Sequence, residues 1–258
     1  MKPCLFCGEM IDNSSVEHIV PESFGNEHYV LDGGIVCTLC NNRFSESEMK
    51  ALSHTVFVIE RARKAVKSKK GKPAKGKVNE LEIEGDENFQ KGFLYAKGLN
   101  RDNLLNFDPI TKQAQVFVKG FGKSEVATSK FLLKMGFESL YKSQQSLWRN
   151  NDFTDLREYL TLKTNMDWPF ISRNLSELKF CDIPRYNDKY RLTSKHSSLQ
   201  YYEFNATTLL FKFKFGGVPF VINLLNRDIN WIRHCKKSDP TIHICPEHFN
   251  KKADNLNR

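Results

Sequence analysis

The sequence predicts an α+β chain: a small cysteine-stapled N-terminal module followed by a larger mixed domain. Three observations predict it. Two Cys-x-x-Cys pairs, Cys4/Cys7 and Cys37/Cys40, stand 29 residues apart near the N-terminus. Beyond them, apolar residues recur at helical spacing in some stretches and alternate strictly in others. The charge also divides. Residues 1–60 carry three basic and nine acidic side chains, net −6, whereas residues 61–258 carry 36 basic and 21 acidic, net +15.

Taken in order, residues 1–45 read as a compact knuckle, with Tyr29 to Leu31 and Ile35 to Val36 as a strand pair or bulged strand. From Asn41, and certainly from Ser47, Met49, Leu52, Val56 and Ile59 recur at three and four, which predicts one helix. Ser45 to Glu48 fits an S-x-x-E capping box at its start. Arg61 to Lys77 is basic throughout and is broken by Gly71, Pro73 and Gly76. It divides the chain into a module at 1–60, a basic linker at 61–80 and an α+β domain at 81–258. Leu81–Ile83, Phe93–Ala96 and Ala114–Val118 alternate like strands, with an Asp108-Pro109 turn before the last. Val126 to Tyr141 and Thr154 to Leu162 are helical. Leu199–Phe204, Thr208–Phe215 and Val218–Leu224 are strands, the last two joined by Gly216-Gly217 as a hairpin.

Composition bounds the function. With 40% hydrophobic and 27% charged residues the chain is globular, not disordered. The first fifteen residues have no apolar core of a secretory signal. The apolar run at Val218 to Leu225 is less than half of the ~20 residues that a membrane span needs. The expected location is therefore the cytoplasm, where seven cysteines are metal ligands or buried thiols rather than disulfides. A net charge of +9 favours a polyanionic partner such as nucleic acid. Arg61, Arg63, Lys64, Lys67, Lys69 and Lys70 are the candidate phosphate contacts, read either as a solvated linker or as an arm that tracks phosphates.

The chemistry lies between the cysteine pairs. Four thiolates close a tetrahedral structural Zn²⁺ site and leave it no open position for catalysis. Inside the staple stand Glu17 and His18, and Asn41 follows the last cysteine. A neutral imidazole is a general base near neutral pH, and a carboxylate with an amide offers a divalent cation its preferred oxygens. Such a set is sufficient for metal-assisted hydrolysis of a phosphodiester. The ordinary readings are a satisfied histidine in a cysteine knuckle, an exposed carboxylate and a helix cap, with Glu48 read as a capping residue ahead of one that approaches the metal. His234, Cys235, His243, Cys245 and His248 read as ordinary packing rather than a second metal site, and Phe211 to Phe215 as a strand with Phe inward and Lys outward.

Cys4-x-x-Cys7, Glu17-His18-Ile19-x-Pro21, Phe24-Gly25-Asn26 and Cys37-x-x-Cys40-Asn41-Asn42 together resemble HNH endonucleases, over residues 1–50. The resemblance implies a zinc-stapled ββα-metal fold, His18 as general base, and Glu17 and Asn41 as ligands of a catalytic Mg²⁺ or Mn²⁺. It implies DNA as substrate and, by analogy, a role in defence against foreign DNA. Two positions depart from the commonest family pattern. Asp32 stands where many relatives have the Asn that orients the histidine, with Asp32, Asn26 and Asn42 as the possible substitutes. Phe44 stands where many have His or Lys. The alternatives are a zinc-stapled nucleic-acid binder without turnover, or a nuclease activated by a ligand or partner of its C-terminal domain. A homodimer or an activating partner is compatible with the sequence.

Overall fold

The computed structural model describes residues 2–11, 16–68, 70–118, 120–162, 166–184 and 197–250. A two-stranded hairpin pairs β1 (Glu17–His18) with β2 (Val30–Leu31), Glu17 opposite Leu31 and His18 opposite Val30. Between them runs a single 3₁₀ turn, Glu22–Phe24. Helix α1 (Thr38–His54) follows, then α2 (Val56–Arg63). A three-stranded antiparallel sheet joins β3 (Lys75–Val78), β4 (Leu81–Gly85) and β5 (Leu94–Lys97). β6 (Leu104–Asp108) and β7 (Gln113–Val116) form a separate hairpin. Three helices come next: α3 (Glu125–Ser143), α4 (Gln145–Asn150) and α5 (Thr154–Thr161). The C-terminal part is a six-stranded antiparallel sheet. Its strands are β8 (Phe170–Ile171), β9 (Cys181–Asp182), β10 (Ser197–Asn205), β11 (Thr208–Phe215), β12 (Val218–Asn223) and β13 (Ile244–Cys245). They lie in the order β13-β8-β12-β11-β10-β9, and α6 (Asn230–Ser238) packs on one face. The α+β class is as the sequence predicts.

Three expectations are corrected. The helix predicted through Ile59 is two helices, because Thr55 adopts φ −132°, ψ −179°. Its hydroxyl donates to Ala51 O at 2.6 Å and accepts from Phe57 N at 3.3 Å, ending one helix and capping the next. The proposed capping box lies inside α1, which starts seven residues earlier, at Thr38, with Cys37 as its cap. The basic segment at 61–80 begins in α2 and ends with β3 and the turn into β4, and Val78 of β3 and Leu81 of β4 pack with Val58 and Ala62. Charge counting cannot see this, because the apolar contacts lie between the lysines.

The larger core is shared by both ends of the chain. β11 alternates as predicted: Phe211, Phe213 and Phe215 are fully buried, Lys214 is exposed and Lys212 lies 4.3 Å from the Phe180 ring. The buried phenylalanine face meets α3 and the N-terminal module. Phe24, from the 3₁₀ turn, sits 4.2 Å from Phe215, 5.5 Å from Phe213 and 5.3 Å from Phe57, ring centre to ring centre. α3 is buried from Phe131 to Leu140 without interruption, as expected of a helix enclosed on all sides. Gly136 permits this, since a side-chain carbon there would lie 2.9 Å from the Phe211 ring. Glu60 of α2 also accepts from Gly217 N, in the β11–β12 turn, at 3.2 Å. No helix among the described residues is long and apolar enough to cross a membrane.

Phe24→Ala empties the centre of this cluster and should destabilise the whole chain by about 3–5 kcal/mol, read from the urea midpoint. A loss below about 1 kcal/mol would contradict the shared core.

Candidate metal and catalytic site

The four predicted cysteines converge. Their sulfurs all lie within 4.8 Å of one another, and Cys7 Sγ is 3.7 Å from Cys37 Sγ. A tetrahedral ion with metal–sulfur bonds of ~2.3 Å has an S···S edge of ~3.8 Å, so the donor set fits. Cys37 N donates to Cys4 Sγ and Cys40 N to Cys37 Sγ, each at 3.4 Å. A hydrogen bond from the Cys40 thiol, helped by backbone N–H groups, holds the Cys4 thiol down to about 4. The same hydrogen bond, with burial, pushes Cys40 up. This cluster could hold a structural metal ion. Among the described residues no other group of three or more Cys, His, Asp or Glu converges in this way. Cys235 itself is buried, and His248 lies 3.6 Å from Asp167.

Glu17, His18 and Asn41 line one cavity of about 400 Å³, together with Glu22, Ser45, Glu48 and Arg61. β1 supplies the first two and α1 the third, while Cys37 and Cys40 anchor the start of α1 beside them. Asn41, Ser45, Glu48 and Leu52 fall at i, i+4, i+7 and i+11 on α1 and form one stripe along the cavity. Glu48 is therefore a wall of the site and not a cap. The helical spacing from Asn41 contains the signal for this.

His18 Nε2 lies 3.1 Å from Glu22 Oε1. A proton on Nε2 donated to that carboxylate leaves the lone pair on Nδ1. Nδ1 is buried and has no hydrogen-bond partner among the described residues. Glu17 is 8% exposed through its side chain, and its Oε1 takes a 2.5 Å bond from Lys134 Nζ on α3. Glu138 Oε2 lies 3.4 Å from the same ammonium. Burial alone would lower Lys134, but the carboxylates of Glu138, Glu17 and Glu48 outweigh it and hold the ammonium charged. Burial also drives the Glu138 carboxyl well above the usual range. Lys134, 3.4 Å away, pulls it the other way. Glu17, Glu48 and Asn41 offer oxygen donors to one cavity, and this donor set fits a hard divalent cation.

The substitute positions separate clearly. Asp32 is 89% exposed through its side chain and faces Lys142 at 4.0 Å. Asn42 is exposed. Asn26 is buried and spans the loop between β1 and β2. Its amide donates to Val20 O and, at 3.0 Å, to Tyr29 O, while its Oδ1 accepts from His28 N at 3.1 Å and Tyr29 N at 2.9 Å. Phe44 is a core residue, 4.6 Å from the Phe6 ring.

The basic candidates do not form one surface. Arg61 is 5% exposed, and burial pulls it down to about 10. Its donors go to Ser23 O at 2.9 Å and Leu52 O at 3.0 Å, so it ties the 3₁₀ turn to α1 and is not a free phosphate contact. Arg63 makes a two-pronged pair with Glu60 at 3.2 and 2.7 Å. Lys67 lies 4.8 Å from the Phe89 ring. Lys67 and Lys70 are exposed and Lys64 is half-buried. Lys69 lies outside the described residues.

Residues 4–56 match a family model described as HNH endonuclease. No curated protein and no solved structure matches the chain. The segment that carries the cysteines, His18 and Asn41 is thus an HNH-family segment, and at the level of the family it supports a nuclease-type hydrolase with a nucleic-acid substrate.

Asn26→Ala leaves the loop carbonyls and N–H groups without their buried partner and should cost about 1–3 kcal/mol. Thermal unfolding measures this, and an unchanged midpoint would remove Asn26 from its place as the loop's organiser.

Proposed function

We propose that the chain is a metal-dependent HNH endonuclease that hydrolyses phosphodiester bonds in DNA. The observation that carries this reading is the cavity shared by Glu17, His18 and Asn41 beside the four-cysteine cluster. In it, His18 takes the proton of the attacking water, and Glu22, 3.1 Å from Nε2, holds the imidazole in place. Glu17 and Asn41 hold a Mg²⁺ or Mn²⁺ ion. When bound, that ion stabilises charge on the scissile phosphate and the leaving oxygen. Asn26 keeps the loop after His18 in the shape that fixes the imidazole. Cys4, Cys7, Cys37 and Cys40 would hold a separate Zn²⁺ as a structural staple. Lys64, Lys67 and Lys70 remain as candidate phosphate contacts.

Reading the chain as a binder without turnover rested on Asp32 and Phe44. Asn26 bonds the loop backbone, and Phe44 packs in the core without supplying the His or Lys that many relatives place there.

Plasmid nicking tests the proposal. Wild-type protein should nick with Mg²⁺ or Mn²⁺ and not with chelator. His18→Ala should lose at least ~100-fold in rate while keeping its zinc content and DNA affinity. Equal nicking by both proteins, or none by wild type under any metal, would overturn the assignment.

A further inference from the structure

We propose that Lys134 sets the affinity of the site for its divalent cation, by competing as a fixed internal ammonium for the carboxylate of Glu17. This inference rests on the reading that Glu17 is a metal ligand. Lys134 lies outside the family-matched segment, on α3.

The geometry leaves Lys134 no other task. Its side chain is 3% exposed, so the ammonium cannot reach a phosphate. Its two partners are Glu17 at 2.5 Å and Glu138 at 3.4 Å. Glu138 is fully buried one helical turn further along α3. Glu17, in contrast, lines the cavity. The Glu17 carboxylate therefore stands between an internal cation on one side and the cation cavity on the other. A buried lysine next to it cannot swing away, because α3 is enclosed from Phe131 to Leu140.

Two effects of Lys134 on a metal oppose each other. The hydrogen bond orders the Glu17 side chain in advance, which favours binding. The ammonium also repels a dication held a few ångströms away at the same carboxylate. Repulsion between a single and a double charge at that separation exceeds the ordering cost of one glutamate side chain, even at the higher effective dielectric of a protein. Repulsion wins, so Lys134 weakens metal binding. Metal loading is thereby tied to the position of α3, and the C-terminal part becomes a constituent of the site.

The test is direct Mn²⁺ binding, followed by the electron paramagnetic resonance signal of free Mn²⁺ during titration of the full chain. Lys134→Met alone strands two carboxylates, so two double variants remove the ammonium in different ways: Lys134→Met/Glu138→Gln and Lys134→Met/Glu138→Leu. The expected result is Mn²⁺ binding at least ~10-fold tighter than wild type in a double variant that keeps its circular dichroism spectrum and zinc content. Adding Glu17→Gln to it should abolish the gain. A folded double variant that binds Mn²⁺ no more tightly would overturn the inference. Glu17→Gln in the wild-type background separates the two readings. If it leaves Mn²⁺ affinity unchanged, the metal-ligand reading falls and this inference with it. If it weakens binding while the double variants change nothing, this inference alone falls.

Discussion

The hairpin that carries His18 is too short to hold itself. Two residues in each strand and two register pairs cannot sustain a β-ribbon in water. Its shape must be imposed from both sides. On one side four sulfurs draw the N-terminal turn and the start of α1 together. On the other, Phe24 plugs the 3₁₀ turn into the phenylalanine face of the C-terminal sheet. Arg61 adds a third tie, from α2 back to Ser23 O and Leu52 O. The cavity with Glu17, His18 and Asn41 exists because all three hold.

Charge follows from the same packing. Placing α3 against the hairpin buries Lys134 beside Glu17, and a buried ammonium survives only if it is paired. Glu138, fully buried on the same helix, lies 3.4 Å from the same ammonium, and burial raises its carboxyl against that pull. The candidate site is therefore not a self-contained N-terminal module carried by an unrelated domain. Its carboxylate is held by a helix that begins more than a hundred residues later in the chain.

Much of this was legible from local patterns. Cysteine spacing located the sulfur cluster, and the alternation of Phe and Lys from Phe211 to Phe215 located β11 and its inner face. The helices at α3 and α5 and the hairpin at Gly216 are read directly from periodicity and turn residues. What failed was whatever depends on contacts distant in sequence. Nothing around Arg61 says that its guanidinium is buried against two carbonyls, because the neighbouring residues look like a solvated basic run. Lys134 and Glu17 are 117 positions apart, and no local rule pairs them. Thr55 breaks a helix that the apolar spacing alone would continue, since its hydroxyl supplies both an end and a start. Glu48 was visible on the stripe from Asn41, but an S-x-x-E match offered a competing explanation that the true start of α1 removes.

The central claim is that the hairpin carrying His18 is held jointly by the four-cysteine cluster and by the C-terminal core. Amide hydrogen exchange, read by mass spectrometry before and after the cluster's metal is stripped by a strong chelator, tests it most directly. The account predicts that β1, β2 and the first turn of α1 lose protection and that α3 and β11 lose it with them, because they share one core. Full protection retained in α3 and β11 while residues 4–60 exchange freely would show an independent N-terminal appendage and contradict the account.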